Sequence, residues 1–134
     1  MFLLDTNICI FIIKGKNSKV LDNLKKNKKK GLYISSITLA ELEFGIENAD
    51  PLYNTKNRIA LMQFLSIFEI KNFDENAAKE YGKIKKDLKD KKCLIGPFDM
   101  LIGAHAKSLK MTLVTNNTNE FKRIKDLTIK DWTM

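Results

Sequence analysis

The stretch Leu3-Leu4-Asp5-Thr6-Asn7 decides the fold, because it places an acid at the junction of two apolar runs. Residues 2–4 are typical of a buried strand, and residues 8–13 are typical of a short apolar helix. Glu41 and Asp99 lie at similar junctions further along the chain. Each of these acids therefore lies where a strand is predicted to end and a helix to begin.

Apolar runs and helical periodicity alternate along the rest of the chain. Further strands are predicted at residues 32–35, 67–70 and 112–115, with a fifth at 127–129. Helices are predicted over residues 17–30, over the segment that follows Ser35 or Ser36 and reaches Ile46, and over residues 55–66, 75–90 and 98–110. Strands separated by helices indicate a parallel sheet with helices on both faces. The length fits one domain, residues 1–134.

The composition is that of a soluble, basic protein. Apolar residues make up 44% and charged residues 30% of the chain, and the formal net charge is +8. Such a surface attracts nucleic acid or an anionic membrane without sequence preference. The lysines at positions 25–30 are equally compatible with ordinary solvated positions, so their role stays open at this stage.

The cysteines and apolar runs exclude several classes of protein. Cys9 and Cys93 lie among apolar residues without a CxxC pair, which disfavours a zinc site or a disulfide framework. A reducing cytoplasm suits such cysteines. Asp5 interrupts the N-terminal apolar run, so no signal peptide is predicted, and no run approaches the roughly 20 residues of a membrane span.

The joint placement of the acids suggests a metal site. In a parallel sheet the carboxyl ends of strands meet at one edge, so Asp5, Glu41 and Asp99 are expected to converge there. Carboxylates about 4–6 Å apart repel one another by about 3–4 kcal/mol per pair at an effective dielectric constant near 20. That cost exceeds the roughly 1 kcal/mol that a helix cap contributes. A set of oxygen ligands favours Mg²⁺ or Mn²⁺, which suits phosphodiester hydrolysis.

Each acid taken alone also has a simpler interpretation. Asp5 is a candidate N-cap for the first helix, and Asp99 is a candidate N-cap for a helix that begins at Met100. Thr38 and Glu41 have the spacing of a capping box. These interpretations need no metal.

A polar segment follows the last clear strand and is expected at the same edge of the sheet. Thr115, Asn116 and Asn117 are candidates for orienting a water or ligand, and Glu120 is a candidate fourth carboxylate. The alternative is an ordinary turn, with Glu120 stabilised in the first turn of a helix. His105, the only histidine, is interpreted as a packing residue.

Four motifs occur in an order that resembles a known family: Leu4-Asp5-Thr6-Asn7-Ile8, Ser36 to Gly45, Ile95 to Ala106, and Leu113 to Phe121. Together they look like a PIN-domain ribonuclease toxin of the VapC type. The resemblance covers essentially the whole chain. It implies a three-layer α/β/α sandwich around a parallel sheet of about five strands.

The resemblance also implies a function and a set of partners. It implies that Asp5, Glu41 and Asp99 bind the metal, Mg²⁺ with Mn²⁺ as a substitute. It implies one half of a bacterial type II toxin–antitoxin pair, inhibited by a VapB-like antitoxin, and a homodimer. The implied substrate is RNA, specifically tRNA, and the last motif resembles that of members that cut initiator tRNA. One position departs from the family: Asn117 stands where many PIN domains have Asp, so one metal rather than two is expected.

The resulting hypothesis is a metal-dependent endoribonuclease. Asp5 and Asp99 hold the metal, and Glu41 orients or deprotonates the attacking water. Glu120 is assigned to the same catalytic set, in which it assists the other three acids. Supporting roles are assigned to Thr6, Asn7, Thr115, Asn116 and Asn117. Two alternatives are a non-catalytic basic RNA-binding domain and a haloacid-dehalogenase-type phosphatase, although the phosphatase would need an acid where Asn7 stands.

Overall fold

The acids are carried by a five-stranded sheet in which all neighbouring strands are parallel, as seen in a computed structural model of residues 1–134. The strands are β1 (Phe2–Leu4), β2 (Leu32–Ser35), β3 (Glu69–Lys71), β4 (Thr112–Val114) and β5 (Ile129–Lys130). Their order across the sheet is β3-β2-β1-β4-β5. The order reverses at β1, so β1 is central, and the chain that leaves it lies between the ends of β2 and β4.

Helices cover both faces of the sheet, as the three-layer sandwich requires. They are α1 (Thr6–Lys14), α2 (Ser18–Asn27), α3 (Ser36–Asn48), α4 (Asn54–Leu65), α5 (Glu75–Asp90), α6 (Pro97–Leu109) and the short α7 (Thr118–Phe121). Two 3₁₀ turns, Lys28–Lys30 and Pro51–Tyr53, precede β2 and α4. Gly15 ends α1 at a φ of +61°, a backbone conformation that a residue without a Cβ adopts at little cost.

Two apolar cores lie on opposite faces of the sheet because side chains alternate along each strand. In β1, Phe2 and Leu4 belong to one core, which α1, α2, α3 and α4 complete. Leu3, between them, belongs to the other core, which α5 and α6 cover. Leu3 and Leu4 are fully buried. A strand buried on both faces is therefore uninterrupted in its apolar sequence, as residues 2–4 are.

The edge strands differ in position from the sequence prediction. The third strand begins at Glu69 rather than at residue 67, because the amide of Ile67 still bonds to the carbonyl of Phe64 at the end of α4. The fifth strand comprises Ile129–Lys130, so it begins two residues later and ends one residue later than predicted, because it pairs in register with Leu113 and Val114 of β4. Both strands lie at the outside of the sheet, where little side-chain burial marks them in the sequence.

The lysine block lies away from the acids. The predicted helix over residues 17–30 ends at Asn27, and Lys28–Lys30 form a 3₁₀ turn immediately before β2. This turn is therefore at the amino edge of the sheet, whereas Asp5 and Glu41 follow β1 and β2 at the carboxyl edge. Asp99 does not follow a strand, contrary to the prediction: it lies at the start of α6, which comes after α5 and reaches the same edge before the chain enters β4. None of the helices has the length and apolar character needed to cross a membrane.

Packing between α6 and α7 leaves no room for a side chain at Gly103. A Cβ at this position would lie 2.5 Å from Cδ1 of Ile124 and 3.5 Å from the ring of Phe121. Ile124 and Phe121 are themselves buried, at 3% and 0% exposure, so neither can move freely. We expect Gly103→Ala to destabilise the protein by about 1–2 kcal/mol, since overpacking outweighs the gain in helix propensity.

Gly82 in α5 provides the matched control, because a Cβ there would meet no atom within 4 Å. We expect Gly82→Ala to stabilise the protein by about 0.5–1 kcal/mol. Urea denaturation followed by circular dichroism measures both changes. Equal effects of the two substitutions would contradict the packing argument.

Candidate active site

Asp5, Glu41 and Asp99 line one cleft at the carboxyl edge of the sheet. The volume of this cleft is about 640 Å³. Its other lining residues are Thr6, Asn7, Ile10, Ala40, Phe44 and Phe98. Three elements, α1, α3 and α6, thus bring together acids that are far apart in the sequence. We call this cavity the acid cleft.

Asp5 is both a helix cap and a member of the acid cleft. Its Oδ1 accepts a hydrogen bond of 3.0 Å from the amide of Ile8, which makes it the N-cap of α1. The side chain of Thr115 also favours the ionised form of this carboxylate. Asp5 is only 4% exposed. The predicted cap is therefore confirmed, but the cap does not account for the burial of the charge.

Burial raises the pKa of Asp5 from 3.8 to about 6. The side chain of Thr115 and the hydrogen bond from Ile8 oppose this rise, whereas repulsion by Asp99 and Glu41 adds to it. The acids are thus close enough to disfavour one another's charge. This is the condition in which a cation would be bound favourably.

Glu41 does not take part in a capping box, contrary to one interpretation of its spacing from Thr38. The N-cap of α3 is Ser35, whose hydroxyl accepts from the amide of Ile37 at 3.0 Å. Thr38 and Glu41 lie inside the helix. Glu41 Oε1 instead accepts a hydrogen bond of 2.6 Å from the hydroxyl of Thr6 across the cleft. The oxygen of the buried Thr38 hydroxyl lies 3.3 Å from that of Thr6.

Asp99 does not cap a helix at Met100, because α6 begins two residues before Asp99, at Pro97. Its Oδ2 accepts from Nδ2 of Asn117 at 3.3 Å. Burial raises the pKa of Asp99, and repulsion by Glu120 is the next largest cause. Glu120 therefore stands beside Asp99.

Besides Glu120, two residues of the polar segment after β4 reach the site. Thr115 is fully buried, and its hydroxyl also accepts from the amide of Asn117 at 2.9 Å. Asn117 thereby holds its side-chain amide against Asp99. Asn116 and Asn7 are exposed, although Asn7 lines the cleft. Only Thr115 and Asn117 of these four therefore contact an acid.

His105 is a buried residue of α6 whose side chain faces the end of β2. It is 1% exposed, and its Nδ1 lies 2.8 Å from the hydroxyl oxygen of Ser35. Burial lowers the pKa of His105, so the ring is neutral. Because Ser35 also caps α3, this contact joins the helix that carries Glu41 to the helix that carries Asp99.

Ser36 and Phe73 extend this connection. The Ser36 hydroxyl accepts from the amide of Phe73 at 3.0 Å, and the Phe73 ring packs edge-on against His105, with ring centroids 5.4 Å apart. Sequence reasoning found the cap but missed these contacts, because nothing local marks a serine as the partner of a histidine that lies 70 positions away.

The donor set of the acid cleft fits an oxygen-preferring divalent cation. Its acidic ligands are carboxylates alone, without cysteine or histidine, and mutual repulsion with burial disfavours their charge. As the side chains stand, no group of three or more acids, histidines or cysteines is arranged to hold a metal ion. The Thr6 and Asn117 hydrogen bonds keep Glu41 and Asp99 turned to other partners. Small side-chain rotations would accompany binding.

A second cavity, which we call the apolar groove, adjoins the acid cleft. It lies between α1, α3 and α4 and has a volume of about 430 Å³. Ile10 and Glu41 line both cavities. Its other lining residues are Ile13, Lys14, Leu42, Gly45, Ile46, Ala49, Tyr53, Asn57, Ala60 and Leu61. Because the two cavities share these residues, a partner bound in the groove would lie directly beside the acid cleft.

Comparison with known proteins gives the same fold and related functions. The PIN domain family matches residues 2–127. The chain is 40% identical over 131 residues to the tRNA(fMet)-specific endonuclease VapC of Shigella flexneri, covering 98% of this chain and 97% of the relative. It is 37% identical over 133 residues to ribonuclease VapC2 of Rickettsia felis, covering 98% of both.

The solved structures include VapBC2 of Rickettsia felis bound to a DNA fragment from its promoter. That chain superposes with a TM-score of 0.91 and 38% sequence identity, covering 98% of each chain. The similarity therefore extends through the acid cleft and the apolar groove.

The burial of Asp5 predicts a pH-dependent stability. Without metal, the folded protein binds a proton at Asp5 below about pH 6, whereas the unfolded chain does so only below about 3.8. The resulting destabilisation is present in full above pH 6 and vanishes as the pH falls toward 4. We expect Asp5→Asn, which keeps the cap, to stabilise the metal-free protein at pH 7.5 by on the order of 3 kcal/mol at most.

Urea denaturation in chelator at pH 7.5, 6 and 5 measures this difference, which should shrink as the pH falls. Asp5→Ala serves as the control, since it also removes the cap and forfeits about 1 kcal/mol of the gain. Added Mg²⁺ should stabilise the wild type and not Asp5→Asn. Identical pH profiles for wild type and Asp5→Asn would contradict the assigned cost.

Proposed function

The chain belongs to the VapC ribonucleases of the PIN domain family, and from that premise we propose that it is the toxin of a type II toxin–antitoxin pair and hydrolyses phosphodiester bonds in RNA. One observation carries the proposal: Asp5, Glu41 and Asp99 line a single cleft. Neither a phosphatase nor a non-catalytic RNA-binding domain is retained as an alternative, because the relatives are nucleases and neither alternative accounts for all three acids.

We assign Asp5 and Asp99 as the residues that hold the metal, with Glu41 as a third ligand or as the base. Members of the PIN family are metal-dependent, and for this chain we propose Mg²⁺, with Mn²⁺ as a substitute. A cation bound there would neutralise the acids and would polarise the scissile phosphate. Because Asn117 is neutral, a single cation stays the prediction.

The chain's own residues orient the reaction. The hydroxyl of Thr6 donates a hydrogen bond to Oε1 of Glu41. We therefore assign Oε2 as the oxygen that accepts a proton from the attacking water. Thr115 orients Asp5, and Asn117 orients Asp99. Glu120 lies beside Asp99 and is assigned to the catalytic set, in an assisting role. The exposed Asn7 and Asn116 are assigned supporting roles.

The proposed substrate is tRNA, and specifically initiator tRNA, as the name of the Shigella flexneri relative indicates for that protein. The net charge of +8 favours RNA binding. Lys28–Lys30 lie at the opposite edge of the sheet from the acids, so they would contact RNA away from the cleaved bond. These contacts would position the substrate without reading its sequence.

The proposed inhibitor is a VapB-like antitoxin bound in the apolar groove. The related VapBC2 structure contains toxin and antitoxin together. A cationic antitoxin side chain extending past Ile10 would reach Glu41 and replace the charge of the metal. We further propose that the protein forms a homodimer and that it acts in the cytoplasm, where tRNA is available. Residues 1–134 would form one PIN domain.

Removing one acid tests the catalytic assignment. We expect Asp99→Asn to reduce Mg²⁺-dependent cleavage of tRNA(fMet) by at least about 100-fold, because a neutral amide binds the cation more weakly than a carboxylate and does not balance its charge. RNA binding should survive, since the lost charge is one that repels phosphate. Gel electrophoresis of end-labelled tRNA measures cleavage, and filter binding measures affinity.

Asp90→Asn is the matched control, because it makes the same change in net charge at an exposed position on α5. It should cleave like the wild type. Full activity of Asp99→Asn, or of the wild type in excess chelator, would refute the proposed function.

Filling the apolar groove tests the antitoxin site. Gly45 lines the groove, and a Cβ there meets no atom within 4 Å, so the leucine side chain of Gly45→Leu would start from open space and fill part of the groove. We expect this substitution to weaken binding of the co-expressed VapB antitoxin by at least about tenfold, equivalent to 1.4 kcal/mol. Calorimetric titration of the antitoxin measures the loss.

Gly82→Leu controls for the helix effect, because Gly82 also lies in a helix with no neighbour within 4 Å but outside the groove. Ribonuclease activity of both variants shows that the acids remain in place. Undiminished antitoxin binding by Gly45→Leu would show that the antitoxin does not bind in the apolar groove.

A further inference from the structure

The distribution of phenylalanine is uneven in a way that the metal site does not explain. The chain has eight phenylalanines, and only Phe44 and Phe98 are exposed, at 66% and 53%. Both line the acid cleft. Four of the other phenylalanines pack against an aromatic ring: Phe2 against Trp132, Phe64 against Phe68, and Phe73 against His105. Scattered exposed apolar residues are ordinary, but two aromatic rings in one acidic cleft are not.

Each ring is held next to a catalytic acid by a helix. Phe44 follows Glu41 by three positions in the interior of α3, so the two side chains share one face of the helix. Phe98 directly precedes Asp99 in the first turn of α6. Because α3 and α6 are packed on the sheet, the backbone positions that carry the two rings are fixed relative to those that carry the acids. The cleft thus has two aromatic side chains available to contact the groups on either side of the reacting phosphate.

We propose that Phe44 and Phe98 stack on the two unpaired bases that flank the cleaved phosphodiester. This inference rests on the proposed ribonuclease function. In a nucleic acid, the groups next to a phosphate are a sugar and a base. A ring beside the acids therefore meets the base that adjoins the scissile bond.

Stacking on aromatic side chains is available to every base, but only when the base is not already paired within a helix. The acids cannot provide this selection, because phosphates are present in stems and loops alike. The rings add a requirement for extruded bases while leaving sequence open. Binding also removes both rings from water, which favours the complex.

The test separates aromatic stacking from apolar contact. The cleavage site in tRNA(fMet) is mapped first, and a short hairpin that carries this site in its loop is then used as the probe. Phe44→Leu and Phe98→Leu keep an apolar side chain but lose the ring, and Phe44→Tyr and Phe98→Tyr keep the ring. We expect each leucine variant to raise KM for the hairpin by about 5-fold to 100-fold, and each tyrosine variant to remain within about twofold of wild type.

The deciding measurement uses hairpins with an abasic nucleotide on one side of the cleaved bond. If a ring stacks on that base, the corresponding leucine variant and the wild type have equal KM values on the abasic hairpin. The same comparison of Kd, made in an Asp99→Asn background with chelator, provides a readout that does not require catalysis. Leu52→Ala, an exposed apolar position that does not line either cavity, should match the wild type throughout.

The outcomes are distinct. Unchanged KM for both leucine variants, with wild-type cleavage intact, overturns this inference and leaves the proposed function standing. Leucine variants that bind RNA normally but bind the antitoxin weakly also overturn it, since the rings would then be a protein contact. A penalty that persists in full on every abasic hairpin overturns it as well. A wild type that cleaves no RNA overturns the proposed function and this inference together.

Discussion

The charge of Asp5 is buried at the end of the central strand, and the rest of the site is arranged around the free energy that this burial costs. The Ile8 amide and the Thr115 hydroxyl offset part of the cost, but Asp99 and Glu41 increase it, and the pKa of Asp5 remains raised. A divalent cation would convert this unfavourable set of charges into a favourable one. The burial follows from the topology. Asp5 leaves the central strand β1 between the ends of β2 and β4, so its side chain is surrounded by neighbouring strands.

The geometry of the cleft depends on contacts that lie outside it. Ser35 ends β2, caps α3 and meets His105 of α6, so one hydroxyl relates the helices that carry Glu41 and Asp99. The apolar groove shares Ile10 and Glu41 with the cleft. Substrate binding, catalysis and inhibition thus depend on the same three helices, α1, α3 and α6, with α4 added on the side of the groove.

Much of the fold could be predicted from local patterns, and the failures have physical causes. Buried strands such as β1 are marked by continuous apolar residues, whereas the short edge strands β3 and β5 bury little and were misplaced by one or two residues. The caps were ambiguous because several polar residues stand near each helix start. Ser35 rather than Thr38 caps α3, and Pro97 starts α6 before Asp99, so neither Glu41 nor Asp99 is needed as a cap.

The sequence by itself determined the alternation of strands and helices, the candidate acids and the family, because these depend on residue type and spacing along the chain. It also marked Asn117 as a departure from the family pattern. Only the tertiary structure decided that Thr6 meets Glu41, that Asn117 meets Asp99, that Glu120 stands beside Asp99, and that the lysine turn lies at the far edge. Those facts depend on distances between residues remote in the chain, and such distances are set by how helices pack on the sheet.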